Sequence, residues 1–298
     1  MNQLDGVIEL KNWLHDLVQH GLAAALARDP EFWEDFAARM VNAKLGGIAR
    51  RIRTFKNWLQ TDDAHERLLA EIGELYLFAK AFEKLDTLPP DFQQEVLTTA
   101  GATIKKETVL KQASIVDQWL VVGQTEGSED NIRYRRTWLH GLATHETALL
   151  LDFAWRFNDF EGVNWLLGSL LQAEIAFYPG AYRQRALVKN FAIIYEPVDL
   201  AGYADWEVFL RQYADALAQN PWLLQFPGLL DALTPVVQQD QLLLLDAHRQ
   251  WLPTIVSDEN QWKILALSGG HPISLFGEWD GRAFTPLTVF ADGRIIPL

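Results

Sequence analysis

The chain has 298 residues, 49% hydrophobic and 22% charged, a composition that excludes collagen-like, low-complexity and disordered classes. Its 26 Lys+Arg against 39 Asp+Glu leave a formal charge of −13. That field repels polyanions, so nucleic acid and anionic membranes are poor default partners. Cysteine is absent, which excludes disulfides, thiolate zinc sites, iron–sulfur clusters and a cysteine nucleophile.

Met1-Asn2-Gln3-Leu4-Asp5 lacks a basic region leading into an apolar core. No run approaches the ~18 apolar residues of a membrane span. The expected location is the cytoplasm.

Val7, Leu10, Leu14, Leu17, Val18 and Leu22 recur at helical spacing. Asp29-Pro30 reads as a cap and first turn, followed by the apolar face Phe32, Trp33, Phe36 and Met40. Gly46-Gly47 reads as a break before 48–59. Asp63 with Glu66 has capping-box spacing, and Leu68, Leu69, Ile72, Leu75, Tyr76 and Phe82 form the stripe that follows. Leu88-Pro89-Pro90 ends it, and a shorter helix is expected from Asp91 to Thr99.

Periodicity switches from 3.6 to 2 near Asp117. Trp119–Val122 and Ile132–Leu139 flank the polar turn 127–130, a hairpin signal, and Thr147–Phe153 reads as a third strand. Tyr178-Pro179-Gly180-Ala181 has type II turn chemistry, with Gly at positive φ, between arms 170–177 and 182–188. Trp206–Leu217 returns to helical spacing, and Asn220-Pro221 reads as the start of a short helix carrying Trp222. Three turn signals, at Asp246, Asp280-Gly281 and Asp292-Gly293, predict three related C-terminal hairpins. The expected class is α+β, with a helical region 1–115, an antiparallel β region 116–192 and a mixed region 193–298 of helices then hairpins.

A search for chemistry finds no catalytic constellation. His65-Glu66 and His145-Glu146 lack the second histidine four residues on, where Leu69 and Leu149 stand. His15/His20 and His140/His145 are five apart, the wrong spacing for one helical face. Neither a nucleophile elbow nor a phosphate loop is present. Ser268-Gly269-Gly270-His271-Pro272 reads as a turn. Asp280, two residues after Glu278, reads as a solvated Asx turn, and the acidic tip 126–130 as a solvated loop. No metal and no cofactor is expected.

Two basic features stand out. Arg50, Arg53 and Lys56 form a helical stripe within an acid-free run that also holds Lys44 and Arg51. Arg133 and Arg135 share a strand face, with Tyr178, Tyr182, Arg183 and Arg185 on the later hairpin. Each reads either as a solvated face paired with surplus acids or as a docking patch.

The ordered segments 36–43, 47–53, 118–123, 136–139, 177–182, 185–186, 220–222 and 277–282 resemble the region downstream of the zinc finger in bacterial SWIM zinc-finger family proteins. The finger itself needs a Cys-x-Cys pair and Cys-x-His, so no zinc ligand carries over to this Cys-free chain. The resemblance implies a bacterial accessory module, often encoded near MoxR-type AAA+ ATPases and von Willebrand factor A proteins. The leading reading is therefore a non-enzymatic protein-interaction module that binds another protein through Arg133, Arg135 and the Tyr178–Arg185 hairpin, with the Arg50/Arg53/Lys56 stripe as a further part of the surface. The alternatives are an enzyme with a dispersed site near Arg135, Tyr182 and Arg185, and a nucleic-acid-binding accessory protein using the basic stripe.

Overall fold

A computed structural model describes residues 2–129, 131–196, 198, 200–291 and 293–298. Asp130 of the predicted acidic tip and Asp292 of the third predicted hairpin lie outside the described residues. The chain forms two compact units: Met1–Ile104 with Pro179–Ala181 and Gln219–Trp222, and Lys105–Tyr178 with Tyr182–Ala218 and Leu223–Leu298.

The first unit is helical. Helix α1 (Gln3–His20) starts with a capping box between Asn2 and Asp5 and buries Val7, Leu10, Leu14 and Leu17, while Val18 faces solvent. A short α2 (Leu22–Leu26) leads to α3 (Pro30–Asn42), which starts at Pro30 without a bond from the Asp29 side chain. Proline's fixed φ is the operative start signal there. Trp33, Phe36 and Met40 are buried, and Trp13 stacks on Phe36 at 3.9 Å.

Gly46-Gly47 opens α4 (Gly46–Thr54) and does not break it; the chain turns at Lys44, φ 59°. Glycine at 47 is needed for space. A Cβ there would overlap the Thr99 carbonyl oxygen of α6 (Pro90–Ala100) and lie 3.0 Å from Gly101 N. The capping box expected at Asp63 and Glu66 does not form at α5 (Ala64–Glu83), because the Asp63 carboxylate accepts from the Thr61 hydroxyl and Arg67 instead. Leu68, Ile72, Leu75 and Phe78 complete the core, whereas Leu69 and Tyr76 of the expected stripe face solvent, off the buried side of the helix.

The second unit opens with the short α7 (Lys106–Val109) and holds two five-stranded antiparallel sheets. The first contains β1 (Ser114–Glu129), β2 (Ile132–Gly141), β3 (Thr147–Trp155), β4 (Leu170–Phe177) and β5 (Ala186–Ile194), in order β3-β2-β1-β4-β5. The second contains β6 (Phe226–Gln238), β7 (Gln241–Leu245), β8 (Ile273–Trp279), β9 (Phe284–Ala291) and β10 (Arg294–Pro297), in order β10-β9-β8-β6-β7. Helices α8 (Trp206–Gln219) and α9 (Asp258–Ser268) pack Trp206, Phe209 and Ile264 on the second sheet.

The apolar run Trp119–Val122 is explained by burial on both faces. Trp119 and Val121 enter a core on one side of the first sheet, and Leu120 and Val122 meet Leu229, Phe276 and Leu287 of the second sheet on the other. The class is α+β.

Several local expectations are corrected. Gly180 is not at positive φ; a Cβ there would overlap the Glu95 carboxylate, so glycine is needed for room. Asn220-Pro221 opens a turn, with the Asn220 side-chain Oδ1 accepting from Trp222 N, and not a helix. Asp246 starts no hairpin: its carboxylate accepts from His248 N and Gln250 N, and α9 follows. The hairpin in that region is β6–β7, turning at Gln239-Asp240, both at positive φ. Asp280 does form the expected Asx turn, accepting from the Arg282 and Ala283 amides.

Candidate sheet face and cleft

In the first unit, Arg53 grips Glu34 with two nitrogens, at 2.7 and 2.9 Å, and holds that carboxyl below its usual range. Arg51 pairs with Glu71 and Glu74, while Arg50 and Lys56 are exposed.

Arg133 and Arg135 do share a strand face, and Phe160 lies under both guanidinium groups, at 4.9 and 4.7 Å. Arg133 pairs with Glu126. Arg135 is only 6% exposed, because the 156–168 segment covers it and supplies Asn164 and the Val163 carbonyl, with Asp152 from β3. It is thus an internal support, contrary to the surface position expected from strand alternation. On the later hairpin, Arg185 stacks on Tyr178 at 4.4 Å and Arg183 is exposed. Tyr182 packs beside Phe226, and burial pushes its phenol up. Tyr182 packs on the core of the second sheet, whereas Arg135 is held by Asn164, Val163 and Asp152.

The opposite face of β2 is more informative. Ile132, Tyr134, Arg136, Trp138 and His140 alternate onto it. Arg136 donates to Glu278 of β8 from Nε (2.9 Å) and Nη2 (2.6 Å), and Trp138 Nε1 donates to the same carboxylate at 2.6 Å. Glu278 is 5% exposed. This clamp ties the two sheets together where Trp138 meets Phe276.

Beyond the clamp, the face is open. Tyr134 lies over Gly127 and pairs across the sheet with Phe153, and Ile132 pairs with Trp155. Phe153 and Trp155 are 51% and 55% exposed, and Phe157 just after β3 is 97% exposed. Their period-two spacing was visible in the sequence, but only the location of the second sheet shows that this half of the face is uncovered.

At the other end of the same face lies a cleft of about 200 Å³ lined by His140, His145, Thr147, Tyr203 and the apolar Val122, Pro227, Leu229 and Phe276. The His140 and His145 rings are 6.1 Å apart. Burial, then the neighbouring His145, holds the His140 imidazole below its usual value, against the opposing pull of Asp117. Asp117 also fixes the turn that carries His145, accepting from Ala143 N, Thr144 N and the Thr144 hydroxyl. These contacts and Gln118 N hold its carboxyl down against burial. Tyr203 is fixed by its backbone, which donates to the Leu229 carbonyl and accepts from Asp231 N. A larger cavity of about 700 Å³ shares Leu229 and is lined by Leu120, Phe290, Ile295 and Arg294. Among the described residues, no cluster of three or more His, Asp or Glu side chains could hold a metal ion, and no helix is long and apolar enough to cross a membrane.

These observations define an α+β protein with an N-terminal helical unit and a two-sheet unit. Residues 3–100 match the model of the SWIM-associated four-helix bundle domain, so the resemblance to SWIM-family proteins holds over that region. No curated protein and no solved structure matches the chain.

Proposed function

We propose that this chain is a protein-interaction module accompanying a SWIM-type system, and that it binds its partner through the open half of the β2–β3 face. The carrying observation is the contiguous apolar surface of Ile132, Tyr134, Phe153 and Trp155, whose continuation along the same strands is buried under the second sheet. Exposed aromatic side chains on a rigid sheet are typical anchors of interfaces, because they bury much area at little entropic cost. The charge of −13 favours a cationic partner through long-range steering. The SWIM-associated bundle supports an accessory role, and the family resemblance makes a MoxR-type ATPase or a von Willebrand factor A protein the first candidates. The test is pairwise co-purification of the chain with products of its neighbouring genes. Salt-sensitive, one-to-one capture of a basic partner is the expected result; failure of every neighbour to bind rejects the proposed partners.

A further inference from the structure

The cleft at His140 lies at the far end of the β2–β3 face from the open aromatic half. The described residues that line it all belong to the two-sheet unit. Among the described residues, the polar side chains lining it are His140, His145, Thr147 and Tyr203, with no Asp, Glu, Lys or Arg. Among the described residues the His140 side chain makes no hydrogen bond; its ring contact is with His145. The half-buried His140 imidazole lines the cleft beside His145, so its nitrogens are available to a bound group.

His145 adds a second observation. It stands at φ 58°, a conformation that disfavours a branched or bulky side chain by about 1 kcal/mol. Glycine or asparagine would occupy it more easily. The Asp117-centred turn holds it there and brings its ring beside His140. Burial pushes the Tyr203 phenol up, so it stays protonated and serves as a donor at neutral pH.

We propose that this cleft binds a small organic carboxylate with an apolar body. The imidazole N–H groups and the hydroxyls of Thr147 and Tyr203 donate to the carboxylate oxygens. Val122, Pro227, Leu229 and Phe276 enclose the body. Asp117, the carboxylate that acts on His140, is engaged by Ala143 N, Thr144 N and the Thr144 hydroxyl, so it is not offered to an amine. The volume of about 200 Å³ equals roughly six or seven waters at ~30 Å³ each, and suits a single-ring acid.

The test uses benzoate as probe, with benzylamine and inorganic phosphate as comparators, on the full chain. Binding is followed by calorimetry and by the imidazole carbon-bound proton resonances. The expected result is saturable benzoate binding that shifts the His140 and His145 resonances, with benzylamine and phosphate at least about tenfold weaker. Losing one charge-assisted hydrogen bond is worth about tenfold in affinity. His140→Ala and Tyr203→Phe should each weaken benzoate by about that factor. His145→Asn, which tolerates positive φ, keeps the turn and provides a well-folded variant should His140→Ala fail to fold. No saturable binding up to roughly 10 mM (a Kd weaker than ~3 kcal/mol of free energy) would overturn the proposal. So would a preference for benzylamine or phosphate, or benzoate affinity unchanged in His145→Asn and Tyr203→Phe. These outcomes are independent of whether the β2–β3 face binds a protein.

Discussion

Removing the Glu278 side chain is the most demanding test of how the two-sheet unit holds together. The carboxylate accepts from Arg136 at 2.6 and 2.9 Å and from Trp138 at 2.6 Å, and is 5% exposed. In Glu278→Ala, a largely buried guanidinium and a buried indole N–H lose their acceptor together. Deleting one partner of a buried ion pair costs about 3–5 kcal/mol, mainly because the remaining charge is stranded. Glu278→Gln keeps an acceptor and should cost about 1–2 kcal/mol. Replacing the pair as Arg136→Met with Glu278→Leu removes the stranded charge and should recover much of the Ala loss. Urea denaturation read by tryptophan fluorescence gives all three values, with the m-value as a check that the unfolding reaction is unchanged. A loss below about 1 kcal/mol in Glu278→Ala, or no recovery in the double variant, would refute the view that this clamp joins the sheets.

Arg133→Glu and Arg135→Glu should behave differently. The exposed Arg133–Glu126 pair is worth at most about 1 kcal/mol, while reversing the buried Arg135 against Asp152 should cost about 3 kcal/mol or more, measurable by the same denaturation. Gly47→Ala forces α4 away from the end of α6 and should destabilise by about 1–3 kcal/mol, visible as a lower Tm by calorimetry. His140 has a folded pKa below its ordinary value. The unfolded chain therefore takes up this proton first, and its contribution is complete above about pH 6.5 and lost as pH falls through the folded value. His145, Asp117 and Tyr203 surround it. His140→Gln should flatten the fall in stability between about pH 7 and pH 5, as read from denaturation midpoints across that range.

Helices were legible wherever the buried stripe is long and regular. Leu10, Leu14 and Leu17 in α1 and Leu68, Ile72 and Leu75 in α5 show their faces without any structure. Helix α9 escaped because it buries only Ile264 and Ser268 and leaves Trp262 67% exposed. The first meander was legible because turn residues and period-two alternation coincide. The β6–β7 hairpin was not, since Gln239-Asp240 takes positive φ without a glycine. The site was the least legible part. Alternation places Arg133 and Arg135 on one face correctly, but nothing local announces that residues 156–168 fold back over them. Likewise, Glu278 reads as half of a solvated acidic pair until β8 is set against Trp138. His140 and His145 are five residues apart, a spacing that separates them on a helix but brings them together around a hairpin turn.

The central claim is that the open half of the β2–β3 face captures a partner protein. Its most direct test is a quantitative pull-down from a lysate of the source organism, comparing the native chain with the Phe153→Glu/Trp155→Glu variant. Both side chains are half-exposed, so the variant should keep its Tm within a few degrees, with stability changed by about 1 kcal/mol or less. The account predicts that a stoichiometric partner is recovered with the native chain and lost, by at least about tenfold, with the variant. Equal recovery by both proteins would contradict it.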